Sequence, residues 1–130
     1  MDYVYTALFT PKENGKGYTV KVPDLPGCVT TGKDLKDALV QITDAANLWL
    51  TTAEDMNREI PAPTEQQKFR TVEGIEISLI RLDTNAYRKE TDNRAVRKSV
   101  SLPAWMANRA DKLNISYSQV LQDGLRKLLT

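Results

Sequence analysis

The residue types that most often carry catalysis or bind metals are scarce in this chain, which has no histidine and a single cysteine, Cys28. The usual general base at neutral pH is therefore missing, and so are the usual transition-metal ligand sets. With no histidine to activate it and no second cysteine to pair with, Cys28 reads as a small buried apolar residue. Carboxylates are numerous but poorly placed. Metal-assisted phosphodiester cleavage needs several of them converging on two ions, and the predicted strands offer Asp2, Glu76 and little else. Asp37 and Asp44, seven residues apart on a predicted helix, share its solvent face. No catalytic residue, cofactor or metal is expected. What remains is a concentration of cations and hydroxyls near the C-terminus: Arg94, Arg97, Lys98, Ser99, Ser101, Ser116 and Ser118.

Charge divides the chain in the same place. The net charge of +1 conceals eleven Lys or Arg against fifteen Asp or Glu over residues 1–92, net −4, and seven against two over residues 93–130, net +5. A compact basic tail suits a polyanion, and an acidic body suits either a basic protein partner or simple solubility. At 130 residues with 41% apolar content, one modest core and a small appendage are the expectation. Neither a signal segment nor an apolar run of membrane-spanning length is found, so a cytoplasmic location is expected, with no membrane contact.

The elements that must position these residues follow from apolar spacing. Residues 3–9 alternate β-rich types on both faces, as in a strand buried on both sides. A glycine-rich loop over 13–17 leads to a second strand, Tyr18, Val20 and Val22 alternating with Thr19 and Lys21. Pro23-Asp24-Leu25-Pro26-Gly27 is stiff turn chemistry, after which residues 28–31 return as a third strand. Asp34 suits a helix N-cap with Asp37 as an approximate capping box, and Leu35, Leu39, Ile42, Ala46, Trp49 and Ala53 predict a long amphipathic helix. Pro61 and Pro63 end the helical region, and a strand resumes around Ile75–Ile80. This is an α+β arrangement, a small sheet with one packed long helix, over residues 1–82. Residues 83–94 lack either apolar period and read as a linker.

Residues 95–130 carry the most specific pattern. A short strand, Val96 to Leu102, meets Pro103 at the first position of a helix that ends near Asn114, and Ser116 caps the next helix. There Tyr117, Val120, Leu121, Gly124, Leu125 and Leu128 form one wide apolar stripe. Some thirty residues cannot bury such a stripe alone, whereas two copies can do so mutually, so an obligate homodimer with Val100, Leu102, Val120, Leu121, Leu125 and Leu128 in its core is predicted. The unpaired amides around Ser116, Tyr117 and Ser118 suit a phosphate, as do Arg94 and Lys98. Lys98 falls on the inward face, so either it snorkels to a phosphate or the strand register is one residue off.

This module resembles the ribbon-helix-helix family of the Arc and MetJ repressors. The resemblance implies that the paired strands enter the major groove of double-stranded operator DNA, with Arg97, Ser99 and Ser101 facing base edges. The front of the chain, with Tyr5-Thr-Ala-Leu-Phe9, Gly17 through Gly32 and above all Pro23-Asp-Leu-Pro-Gly-Cys28, resembles the HicB antitoxin family. That resemblance implies a partial ribonuclease-H-like domain joined to a DNA-binding domain, an acidic surface that covers a small basic HicA-type toxin that cleaves messenger RNA, repression of its own operon, and further pairing of N-terminal domains into a tetramer. Asp24 and Pro26 are candidate toxin contacts, Asp24 equally an acceptor of local backbone hydrogen bonds. The competing reading is a free-standing ribbon-helix-helix repressor whose first domain senses a small molecule.

Overall fold

A computed structural model describes residues 1–69 and 73–130. They divide into two compact units, Met1–Asn93 and Arg94–Thr130. The first unit is a four-stranded antiparallel sheet in the order β3-β2-β1-β4, formed by β1 (Asp2–Pro11), β2 (Tyr18–Lys21), β3 (Val29–Gly32) and β4 (Glu76–Asp83). The helix α1 (Leu35–Asp55) packs on one face. β1 is central because it pairs along most of its length with β4, from Asp2 opposite Asp83 to Phe9 opposite Glu76, and over its second half with β2.

The alternation in β1 selects one core face. Tyr5, Ala7 and Phe9 are buried with Val20, Val22, Leu25, Cys28, Ile80 and Leu82 against Ala38, Ile42, Ala46 and Leu50 of α1. The opposite face is only partly covered, since Val4 and Leu79 are exposed while Thr6 is buried; burial of β1 on both sides is corrected to that extent. In β4 the core takes Ile80 and Leu82, leaving Ile77 and Leu79 on the other face.

At the start of α1, Asp34 accepts from Asp37 N–H at 2.7 Å, and Asp37 reaches back to Lys33 N–H at 2.9 Å, a reciprocal cap displaced by one residue from the expected one. The buried face is rotated from the predicted stripe: Ala38, Ile42, Ala46, Leu50 and Ala53 are inside, while Leu35 and Leu39 are exposed. Gly32 sets this rotation. A Cβ there would collide with the backbone of Ala38, so the close approach of β3 to the first turn of α1 requires glycine. The helix stops at Asp55, ahead of the prolines, where Asn57 takes φ +52° and Arg58 N–H bonds Ala53 C=O at 2.9 Å.

The segment read as a linker is mostly ordered. Residues Thr84–Thr91 form a helix, α2, capped by Asp83, whose carboxylate accepts from the N–H groups of Asn85 and Ala86. Few apolar residues hold it. Arg88 pairs with Glu54 and Asp55 of α1, each at 2.9 Å, and buried Thr84 bonds the N-terminal ammonium at 3.2 Å. Because these anchors are polar, no apolar period announced the helix.

In the second unit α3 (Ala104–Lys112) and α4 (Tyr117–Leu129) are joined by a tight turn in which Asn114 takes φ +51°. Pro103 precedes the helix as its cap residue rather than opening it. The strand expected over Val96–Leu102 is not formed in the single chain: residues 92–103 are neither helix nor strand. A strand exists only through its ladder of hydrogen bonds to a neighbour.

Candidate nucleic-acid and partner interfaces

In the second unit not one residue is buried. The predicted stripe is laid open along α4, with Val120 59%, Leu121 41%, Leu125 44% and Leu128 81% exposed, and Val100 and Leu102 lie open beside it. A hollow of about 400 Å³ is lined by Lys98, Val100 and Leu102, three alternate residues, together with Met106, Ala110, Ile115, Tyr117, Val120 and Leu121. Lys98 lines this hollow together with Val100 and Leu102. Nearer its start the segment shows no such alternation, since residues 95–99 all line a second hollow with Ser118, Leu121, Gln122 and Leu125.

Arg94, Arg97, Ser99, Ser101, Ser116, Tyr117 and Ser118 are all exposed. Ser116 Oγ accepts from Gln119 N–H at 3.3 Å, the N-cap arrangement that leaves the other first-turn amides pointing out of the helix end. The side chain of Tyr117 reaches back to α3. Its hydroxyl donates to Asp111 at 2.5 Å and lies 3.1 Å from Ala107 C=O, tying α4 to α3, and the Asp111 bond pushes its phenol pKa up. Trp105 is 57% exposed with the Arg109 guanidinium 5.2 Å from its ring centroid.

In the first unit the two candidate contacts separate. Asp24 accepts twice from Thr64, from its N–H at 2.8 Å and its hydroxyl at 2.7 Å, and so staples the segment after α1 to the proline loop. Its carboxylate acts as an internal acceptor, forty residues away rather than locally. Pro26 is exposed; its carbonyl accepts from Trp49 Nε1 at 2.9 Å, and the residue lines a hollow of about 550 Å³ with Cys28, Val29, Leu48, Trp49 and Arg58. Val29 and Leu48 are more than half exposed there. Cys28 is buried, and desolvation pushes its thiol pKa up, the opposite of an activated nucleophile.

Glu54 forms the polar hub of this unit. Oε2 accepts from Tyr3 Oη at 2.8 Å and Thr84 Oγ1 at 3.1 Å, and Oε1 from Arg88 at 2.9 Å. Burial alone would raise its carboxyl pKa, but these donors outweigh burial and hold it below the usual range. Sequence reasoning missed this cluster because its members lie in three separate elements, β1, α1 and α2. Among the described residues no group of three or more His, Cys, Asp or Glu is placed to hold a metal ion, and no helix is long and apolar enough to cross a membrane.

A family model described as the HicB-like antitoxin of bacterial toxin-antitoxin systems matches residues 5–124, nearly the whole chain. The chain belongs to this antitoxin family. A UPF0150 protein of Thermoplasma acidophilum is 38% identical to this HicB-like antitoxin over 63 residues, 48% of this chain and 90% of the relative. Among solved structures, a toxin-antitoxin complex from Streptococcus pneumoniae contains a chain that superposes with TM-score 0.62 at 19% identity, covering 98% of the antitoxin and 99% of that chain. A chain of a HicA3 and HicB3 toxin-antitoxin complex matches with TM-score 0.52 at 16% identity, over 62% of the antitoxin and 99% of that chain. At these identities the structural matches speak for the fold.

Proposed function

We propose that this HicB-like antitoxin binds and neutralises a small, basic, messenger-RNA-cleaving toxin of the HicA type through residues 1–93, and represses its own operon by binding double-stranded DNA through a dimer of residues 94–130. The observation that carries the reading is the second unit, where a full apolar stripe is left open by a segment too short to bury it. A second copy supplies what is missing. Antiparallel pairing of the two 96–102 segments satisfies their backbone, directs Val100 and Leu102 inward with the α4 stripes, and turns Arg97, Ser99 and Ser101 outward on a strongly positive ribbon. Arg97 can then meet a guanine edge with two hydrogen bonds. Lys98 with Arg94 and the first amides of α4 hold backbone phosphates, which fixes the register of the ribbon on the duplex.

For the first unit, the net charge of −4 over residues 1–92 favours a cationic protein partner. The apolar hollow beside Pro26 favours contact with protein over simple solvation. The fold matches to chains from toxin-antitoxin complexes support a HicA-type toxin as that partner.

The experiment is to express the small reading frame adjacent to this gene, alone and together with the antitoxin, and to purify the two chains through a tag on one. Growth arrest that the antitoxin relieves, with both chains eluting together, is expected; no arrest and no complex would refute toxin neutralisation. Binding of the antitoxin to DNA from its own promoter region tests the repressor half separately.

A further inference from the structure

The face of α1 that reads as plain solvated surface in sequence is partly roofed by α2. Between the two helices lies a hollow of about 430 Å³ lined by Leu39, Val40, Thr43, Asp44, Asn47, Tyr87 and Glu90. Two carboxylates, Asp44 and Glu90, stand in this lining with no lysine or arginine among the described residues that form it. Asn47 is only 8% exposed, and its Oδ1 is buried without a hydrogen-bond partner. An amide acceptor left unpaired in this way costs stability, and a buried polar group without a partner asks for a donor from outside. Leu39 and Val40, 42% and 59% exposed, form an apolar wall, and the ring of Tyr87 forms another. The Asp44 charge is felt across the hollow, since after burial it is the second cause that pushes the Tyr87 phenol pKa up.

Acceptors beside an apolar wall match a long cationic side chain, whose methylene stem covers apolar surface while its head donates hydrogen bonds. We propose that this groove receives a lysine or arginine side chain of the toxin, its stem along Leu39, Val40 and Tyr87 and its head between Asp44 and Glu90 with a hydrogen bond to Asn47. This rests on the toxin-binding reading and adds to it the place and chemistry of contact. Charge complementarity selects the occupant: the groove is acidic, a second copy of this chain would bring an equally acidic first unit, and its basic second unit is the one proposed above to hold DNA. The groove also adjoins the surface around Pro26. Val40, Asp44 and Leu48 recur every four residues and so form one ridge of α1, which runs from this groove to the apolar hollow that Leu48 lines.

The test measures affinity for the adjacent-frame toxin by calorimetry, with the full antitoxin and thermal melts in parallel. Wild type must bind first; failure at that step overturns the toxin reading and this site with it. If wild type binds, Asp44→Lys and Glu90→Lys should each weaken the complex about 30-fold or more, the fold-change that breaking one side of a desolvated charge pair produces. Glu13→Lys, the same charge change in the distant hairpin loop, should leave affinity within about threefold. Asn47→Leu gives the sharper result, because it removes the unpaired acceptor: the melting temperature should hold or rise while toxin affinity falls. Wild-type affinity in the Asp44 and Glu90 variants would overturn the site and leave toxin binding standing. A change in antitoxin self-association without toxin would also overturn it and assign the groove to a second copy.

Discussion

Leu125→Asp should separate the two units of this antitoxin functionally. Leu125 is 44% exposed in the single chain, flanked by Leu121 at 41% and Leu128 at 81%, so pairing has roughly half of its surface still to cover. Full burial of a leucine is worth about 1.5–3 kcal/mol, which makes the lost apolar gain about 1 kcal/mol per protomer. The larger effect is electrostatic: an aspartate forced into the interface loses its hydration at a cost of several kcal/mol per ion, twice in a symmetric dimer and with like charges facing. The total, on the order of 8 kcal/mol, weakens pairing about a millionfold. Sedimentation velocity at fixed protein concentration should show the particle mass halved, and promoter DNA should no longer shift. The first unit has its own core around Tyr5, Phe9, Ile42 and Leu50, so its thermal transition and its complex with the toxin should survive. A Leu125→Asp protein of unchanged mass that still binds DNA would refute the assignment of the α4 stripe to the dimer core.

Arg97→Ala should cost about 1–3 kcal/mol in operator binding and relax sequence preference, read by titrating wild-type and scrambled operators; unchanged affinity would mean the ribbon presents its other face. Wild-type operator affinity should fall steeply as salt rises, through release of counterions from the duplex, and a flat response would exclude phosphate contacts. Thr84→Val keeps the side-chain volume but removes hydrogen bonds to the N-terminal ammonium and to Glu54, and should cost the first unit about 1–2 kcal/mol in urea unfolding. Glu54 has a folded pKa below its ordinary 4.5, so its contribution is present above about that pH and lost as pH falls through the lower folded value; Glu54→Gln should flatten the acid limb of the stability curve. The Tyr3 phenol, pushed up to about 12 by burial and then by its bond to Glu54, should ionise last or nearly so in an absorbance titration, and Glu54→Gln should bring it down.

The parts of the fold legible in the sequence are those whose signal is short-range. Asp34 and Ser116 cap helices because their side chains reach an amide three residues on, and Asn114 ends α3 because asparagine tolerates positive φ. The proline loop closes on itself where Pro23, Pro26 and Gly27 stand: Leu25 N–H bonds Val22 C=O, Cys28 N–H bonds Leu25 C=O and Val22 N–H bonds Cys28 C=O. What the sequence hid depends on contacts between distant residues. The rotation of α1 is set by Gly32 against Ala38, which favours a small residue over Leu39 at the tightest crossing, and no periodicity count weighs close approach. Asp24 holds Thr64, forty residues later, through two hydrogen bonds that no local pattern announces. The helix α2 is capped by Asp83 and held by Arg88 and Thr84, polar anchors that give no apolar pattern to announce it.

The two units solve the same problem in different ways, and the difference bears on function. In the first, thirteen apolar residues among those described close over one another within a single chain, so its surface is free to be specialised, and an unpaired acceptor such as Asn47 Oδ1 can be tolerated against a core of that size. In the second, no residue is buried, so under the proposed function folding, pairing and DNA contact would be one equilibrium that rises and falls with antitoxin concentration. On that proposal repression would respond to the amount of antitoxin, whereas toxin capture by an independently cored unit would proceed at concentrations where the ribbon has not formed. Measured across a dilution series, toxin affinity should therefore stay constant through the range in which operator occupancy falls with the square of antitoxin concentration. Parallel loss of both would show that the first unit also needs the dimer to be complete.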